Sequence, residues 1–235
     1  PRSCSTGRAA MVPQLLRFGK GEHRVVQLDG LDIDPAGVVD LAAALAPFPR
    51  VPNPNYPGVR RVLHEADGGA FAYACSLLEA CAPYIGGAFD MDGFDLIEAS
   101  FSIVTTPPGR LAPAQRAPHV DSTDPRYLAV MHFLGGVAGS GTAFYRQRST
   151  GIEAVTPATL ATFVAAARRE SATLDGYIHG SNAAFEEIGR VAAVPGRVLI
   201  YQGALLHSGI IPPDLPLDAD PRRGRLTANL FVKGQ

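Results

Sequence analysis

The segment His119-Val120-Asp121 combines two residue types that can bind a metal ion. Side chains two residues apart on a β-strand point to the same face, so this imidazole and this carboxylate would lie side by side. His207 comes much later, after the apolar segment RVLIY and a turn at Gln202-Gly203. Two histidines and one carboxylate form a ligand set that holds a divalent metal ion and leaves coordination positions open for other ligands.

A second chemical feature begins the last predicted strand, where Arg225 is followed two residues later by Thr227. Both side chains would point the same way, and an inward arginine on an apolar strand is costly unless it is paired. A guanidinium can bind a carboxylate through two hydrogen bonds, and the threonine hydroxyl can add another. The sequence offers no obvious acidic partner, so a bound dicarboxylate is the natural one.

Single motifs of this kind are weak, because His-X-Asp is common by chance and a histidine at a strand end is more often structural. The joint pattern with Arg225 and Thr227 favours a metal site. Among the other histidines, His132 lies in an apolar strand and out of phase with Tyr127, so we predict a structural role. His179, in a predicted loop, is the alternative to His207 as the third ligand.

The order of these features resembles that of the Fe(II)/2-oxoglutarate-dependent dioxygenases, and it is most similar to their prolyl-hydroxylase-like branch. The resemblance covers about residues 100–232. It is carried, in chain order, by His119-Val120-Asp121, a strand, Gly141, RVLIY, His207 and Arg225-Leu226-Thr227.

The resemblance implies a role for each of these residues. Three residues would bind iron and form the catalytic centre: His119, Asp121 and His207. Arg225 would bind the distal carboxylate of the cosubstrate 2-oxoglutarate, and we expect Thr227 and Tyr127 to contribute to the same binding site. For Tyr127 the alternative is simple packing.

The function that the resemblance implies is oxygen-dependent hydroxylation of a small-molecule or peptidyl substrate, with release of succinate and CO2. The presence of Asp121 favours hydroxylation over halogenation, because related halogenases lack this carboxylate. Two other functions stay open. A cupin-like metal enzyme of another class would have no use for Arg225, and a non-enzymatic ligand-binding jelly roll would need no metal.

The elements that must position these residues are predicted as helices first and strands afterwards. Helices are expected from Asp34-Pro35, from Gly69 to about Tyr84, from Thr156-Pro157, and as a short fourth helix over Ala183–Gly189. Strands rich in β-branched, aromatic and aliphatic residues are expected at 101–105, 127–134, 142–146, 197–201 and 226–232.

This pattern predicts a mainly β fold with flanking helices (α+β), with a double-stranded β-helix, or jelly roll, as its core. We expect a single domain over residues 1–235. Residues 1–10 would be a tail, residues 11–99 a helical support, and residues 100–232 the core with a helical insertion at about 152–190. The 18 residues from His207 to Arg225 require a looped-out segment at 210–223, and they leave open whether Arg225, Arg223 or Arg222 meets the cosubstrate.

Composition excludes several other classes of protein. A formal net charge of -1 gives no electrostatic basis for binding nucleic acid or a membrane surface. No apolar run reaches the roughly 18 residues of a spanning helix. The three cysteines, Cys4, Cys75 and Cys81, are an odd number without a CxxC motif, so we expect them to be reduced in a cytoplasmic protein. The sequence does not indicate an oligomeric state.

Overall fold

The computed structural model describes residues 11–50, 56–135 and 138–235. The predicted tail with Cys4, part of the proline-rich loop before Gly58, and two residues of the glycine-rich loop before Gly141 lie outside the described residues.

The described residues form three α-helices and ten β-strands, and the paired strands are all antiparallel. The helices are α1 (Pro35–Ala44), α2 (Gly69–Phe89) and α3 (Leu160–Ser171). The strands are β1 (Val12–Phe18), β2 (His23–Asp29), β3 (Gly58–Val62), β4 (Phe94–Val104), β5 (Tyr127–Phe133), β6 (Gly141–Gln147), β7 (Phe185–Ala192), β8 (Val198–Gln202), β9 (His207–Ile210) and β10 (Leu226–Gly234). The expected mainly β architecture is confirmed.

The strands form a seven-stranded sheet in the order β1-β2-β8-β5-β10-β4-β3 and a three-stranded sheet in the order β7-β6-β9. One hydrophobic cluster joins the two sheets, with Ala129 and Leu199 from the large sheet and Phe144 and Val191 from the small one. The opposite face of the large sheet packs on α1 and α2. The molecule therefore has a helical layer, a large sheet and a small sheet.

Strand β10 lies inside the large sheet, between β5 and β4, and its two faces differ in chemistry. Ala228, Leu230 and Val232 belong to the core on the helical side. The alternate residues Thr227 and Asn229 line a pocket on the side of the small sheet. This period of two delivers polar side chains to one face without placing them in the main core.

The predicted helical support is wrong for much of residues 11–99. Strands β1 and β2 form an antiparallel hairpin that extends the large sheet through β8, and β3 and β4 form its other end. Helices α1 and α2 are present, and α1 begins as expected, with the Asp34 side chain accepting hydrogen bonds from the Ala36 and Gly37 amides. β2 is a strand because it pairs with the edge of β8, and the local sequence does not reveal this partner.

The predicted fourth helix over Ala183–Gly189 is also wrong, because Phe185–Ala192 is strand β7, paired with β6. The edge of β6 supplies a ladder of hydrogen bonds, which outweighs the moderate helix propensity of this segment. Within the expected helical insertion at 152–190, α3 is the one α-helix. It starts at Leu160 rather than at Thr156-Pro157. Thr156 and Thr159 instead form a hydrogen-bonded turn ahead of it.

Glu153 joins the β1–β2 turn to the small sheet. Its carboxylate, 7% exposed, accepts hydrogen bonds from the Lys20 and Gly21 amides at 3.0 Å each and from Arg146 Nε at 2.7 Å. The His23 ring lies 3.1 Å away. Burial alone would raise the pKa of Glu153, but these hydrogen bonds outweigh it and hold the pKa below its usual range.

We expect Glu153→Gln to lower the free energy of unfolding at pH 7 by about 2–3 kcal/mol, because buried charge-assisted hydrogen bonds are lost. A depressed carboxyl pKa stabilises the fold above the unfolded value, near about 4.3, and this contribution disappears as the pH falls through the lower folded value. The difference in the free energy of unfolding between wild type and variant, measured by urea titration, should therefore decrease from pH 7 to pH 3.

The matched control is Asp90→Asn, which alters an exposed ion pair with Arg24. It should change stability by less than about 0.5 kcal/mol. Equal losses in both variants would contradict a special role for Glu153.

Candidate functional site

The structure brings His119, Asp121 and His207 together at one end of the small sheet. His119 and His207 form an isolated antiparallel bridge in which each backbone amide donates to the other residue's carbonyl, at 2.9 and 3.0 Å. The Asp121 amide donates to the Gly203 carbonyl at 2.8 Å. Backbone hydrogen bonds thus align the His-X-Asp segment with the chain that leads into β9.

The nitrogen and oxygen atoms of these three side chains that could bind a metal lie within 4.8 Å of one another. Asp121 Oδ1 is 3.8 Å from His119 Nε2, and Asp121 Oδ2 is 3.5 Å from His207 Nε2. One ion could contact all three groups.

Both imidazoles are neutral near pH 7. Burial lowers the pKa of His207 to about 4. Desolvation and the proximity of His207 lower the pKa of His119 to about 4 as well, although the His119 side chain keeps 46% of its surface exposed. His207 Nδ1 lies 2.8 Å from the Leu205 carbonyl, to which it can only donate, so the Nε2 lone pair of the neutral ring faces Asp121.

Asp121 Oδ2 is buried and has no hydrogen-bond donor among the residues that the structure describes. Burial raises the pKa of Asp121, and electrostatic interactions with His119 and Arg60 partly offset this rise. A carboxylate oxygen and an imidazole lone pair that face each other are two acceptors without a donor, which a cation between them would satisfy. The donor set of two imidazoles and one carboxylate therefore fits a divalent transition metal such as iron.

Gly203 permits the close approach of the strands around this site. A Cβ atom at this position would lie 2.9 Å from Tyr127 Cδ1 and 3.2 Å from Asp121 Cβ. Any larger residue would push Asp121 or Tyr127 away, so the turn that the sequence shows at Gln202-Gly203 has a packing role at the site.

A pocket of about 410 Å³ extends from the three residues across the large sheet. Arg225 and Thr227 line it, and they are 4% and 2% exposed. Arg225 Nε donates to Ser140 Oγ at 2.7 Å, and Nη2 donates to the Gly141 carbonyl at 2.8 Å. Among the described residues no carboxylate forms a salt bridge with Arg225, so the pocket contains a buried cation held by neutral groups.

The other two arginines that the sequence left open lie elsewhere. Arg222 pairs with Asp40 at 2.7 Å and Arg223 pairs with Asp218 at 2.7 Å, both at the surface. Neither lines the pocket. The arginine that could meet a cosubstrate is therefore Arg225.

The segment predicted to loop out at 210–223 forms a packed wall beside this end of the pocket. Ile211 and Leu215 are buried against Val104, and Tyr56 and Tyr177 pack on the same cluster. Tyr177 also donates from its hydroxyl to the Thr106 carbonyl at 2.6 Å. These contacts close the pocket from water on the Arg225 side.

Three tyrosines lie near the Arg225 guanidinium: Tyr56, Tyr177 and Tyr201. The sequence left open whether the loop that contains Tyr56 borders the pocket, and sequence reasoning missed Tyr177 and Tyr201. Burial raises the pKa of Tyr56 to about 12, so its phenol is a neutral hydrogen-bonding group. Tyr201 lies in RVLIY, which indicated a strand and nothing more. No local signal marks Tyr177, because a loop distant in sequence from Arg225 brings it here.

The remaining sequence candidates have different places. His179 is exposed and lies outside the cluster of possible metal ligands. His132 is buried, and its Nδ1 is 2.7 Å from the Tyr73 hydroxyl, in keeping with a structural role. Tyr127 lines the pocket but stacks on Phe231, six residues along β10 from Arg225. Its predicted contact with the cosubstrate stays a prediction.

Two solved structures of HygX share the fold of this chain. HygX from Streptomyces hygroscopicus with nickel and 2-oxoglutarate bound matches with a TM-score of 0.52 and 14% identity, covering 90% of this chain and 83% of HygX. HygX with iron bound matches with a TM-score of 0.50 and 12% identity, covering 91% and 83%. The viral collagen prolyl hydroxylase of Paramecium Bursaria Chlorella virus-1 matches with a TM-score of 0.49 and 10% identity, covering 90% of this chain and 96% of the hydroxylase.

The resemblance drawn from the sequence is thus confirmed for the fold. Among the described residues, no helix combines the length and the apolar character needed to cross a membrane. No curated protein matches the chain. One family model matches residues 9–232, nearly the whole chain. The chain therefore belongs to DUF6445, a family of unknown function.

Proposed function

We propose that the chain is an Fe(II)- and 2-oxoglutarate-dependent oxygenase that hydroxylates a C–H bond of a small-molecule or peptidyl substrate, releasing succinate and CO2. One observation carries this proposal. One pocket contains both the cluster His119, Asp121 and His207, where the buried Asp121 Oδ2 has no donor among the described residues, and the buried Arg225, which has no carboxylate partner among them. Iron and a dicarboxylate would satisfy both ends at once.

In this proposal His119, Asp121 and His207 hold the iron, and the hydrogen bond from His207 to the Leu205 carbonyl keeps its Nε2 directed at the metal. Bound iron would supply the centre at which O2 is activated while 2-oxoglutarate is oxidatively decarboxylated. Asp121 leaves no ligand position for a halide, which favours hydroxylation.

Arg225 binds the distal carboxylate of 2-oxoglutarate, and the Thr227 hydroxyl is placed to add a hydrogen bond. Ser140 and Gly141 hold the guanidinium from one side, so it is already oriented before the ligand arrives. The wall that contains Ile211 and Leu215 excludes water, which strengthens this ion pair.

Further support comes from the solved structures. HygX, which shares this fold, has been solved with iron and with nickel plus 2-oxoglutarate. We further propose that the two sheets form the double-stranded β-helix expected from the sequence and that the described chain acts as one cytoplasmic domain. A metal enzyme without a dicarboxylate cosubstrate would leave Arg225 buried and unpaired, which disfavours it.

The first test is anaerobic addition of Fe(II) and 2-oxoglutarate to the purified protein. We expect a weak visible charge-transfer band, and succinate when oxygen is admitted. His207→Ala should weaken Fe(II) binding by more than about 100-fold and abolish the band, because one of three ligands is lost. His179→Ala is the matched control and should keep both signals. No band and no succinate from wild type would refute the proposal.

The second test addresses the carboxylate anchor. Arg225→Met, which keeps much of the volume and removes the charge, should raise the Kd for 2-oxoglutarate by about 30–100-fold, as calorimetry would measure. Binding of Fe(II) without 2-oxoglutarate should change little. Arg223→Met, which breaks an exposed pair, is the control and should bind 2-oxoglutarate normally. Normal binding by Arg225→Met, with an unchanged melting temperature, would show that the anchor is misassigned.

A further inference from the structure

The end of the pocket away from Arg225 contains an ion pair that the proposed chemistry does not use. Arg60 on β3 pairs with Glu98 on β4 through Nη2, and its Nε donates to Ser100 Oγ at 3.0 Å. The guanidinium lies 5.6 Å from the ring centroid of Phe231. The side chains of Arg60 and Glu98 are 17% and 32% exposed, and both residues line the pocket.

This pair lies beside the metal-binding residues. Arg60 and Glu98 line the same pocket as His119, Asp121 and His207. Phe231, under the Arg60 guanidinium, stacks on Tyr127, and Tyr127 and Asp121 both approach Gly203. A molecule bound at Arg60 and Glu98 would therefore share the pocket with the proposed metal site and lie beside Phe231.

A β-bulge places an apolar side chain at the rim of this end. Phe231 pairs with Glu98 and Val232 with Leu96, so Ile97 is an extra residue without a partner on β10. Bulges re-aim side chains next to functional sites. Ile97 lines the pocket although it is 52% exposed, which is unusual for a large aliphatic residue. With Phe231 and Tyr127 it forms an apolar surface around the ion pair.

The charges of the pocket constrain the overall charge of a substrate. The lining residues with a formal charge are two cations, Arg60 and Arg225, and two anions, Glu98 and Asp121. Iron(II) and 2-oxoglutarate would add charges that cancel. A loaded pocket is then neutral, so a substrate with a large net charge would be disfavoured, whereas one with a separated positive and negative group would match the ion pair.

We propose that Arg60, Glu98 and Ile97 form the subsite for an α-amino acid with an apolar side chain. The substrate carboxylate contacts Arg60, its ammonium group contacts Glu98, and its side chain packs on Ile97. This inference rests on the proposed function, since it names the substrate class of that enzyme.

The size of the pocket agrees with a small substrate. Its volume of about 410 Å³ is near the lower end of the roughly 300–1,000 Å³ typical of ligand sites, and the cosubstrate must share it. One amino acid fits beside 2-oxoglutarate, whereas a longer chain would have to extend past Ile97. Blocking either charged group of the amino acid therefore tests the assignment directly.

The experiment is calorimetric titration of the metal-free protein, in the presence of EDTA, with L-leucine, L-proline and L-phenylalanine. At least one of these should bind. For the best of them, the amide, which lacks the carboxylate, and the N-acetyl derivative, which lacks the ammonium group, should each bind about 10–100-fold more weakly. Arg60→Gln and Glu98→Gln should cause losses of the same size.

The matched control is Arg61→Gln. Arg61 is the next residue on β3, it pairs with Asp67, and it does not line the pocket, so amino-acid binding should be unchanged. Binding of none of the three amino acids, or equal binding of the blocked derivatives, would overturn this inference. Because no iron is present, this result is independent of the charge-transfer test. Failure of one does not imply failure of the other.

Discussion

The buried carboxylate of Asp121 is the constraint on which the site depends. Its Oδ2 has no donor among the described residues, and the neutral His207 ring presents a lone pair to it. Two acceptors face each other in a desolvated place, which is unfavourable unless a cation lies between them. The paired amides and carbonyls of His119 and His207 keep the groups from moving apart, so the fold maintains this arrangement.

The large sheet separates structural from chemical residues by the alternation of its strands. On β10, alternate side chains enter the core against the helices or line the pocket. The residues that face the pocket extend from Arg225 to Phe231, and Arg60 and Glu98 lie next to Phe231. One row of a single strand therefore connects the proposed cosubstrate anchor with the proposed amino-acid subsite, and His119, Asp121 and His207 line the same pocket.

Much of the candidate site was predictable because its chemistry is local in sequence. His119 and Asp121 are two residues apart, Arg225 and Thr227 are two residues apart, and strand periodicity puts each pair on one face. The same reasoning failed for β1, β2 and β7, since pairing with other strands decides their structure. It also missed Tyr177, which a long loop brings to the pocket.

By itself the sequence determined the types of the candidate ligand residues and their order along the chain. It also determined the two-residue spacing that puts each pair on one face of a strand, because these properties depend on neighbouring residues. The sequence favoured Arg225 among three arginines, and the tertiary structure places it alone of the three in the pocket. Arg222 and Arg223 find exposed carboxylates, whereas Arg225 is buried without one among the described residues. It also brought Arg60 and Glu98 together beside Asp121. Burial and pairing depend on distant segments, and no local pattern encodes them.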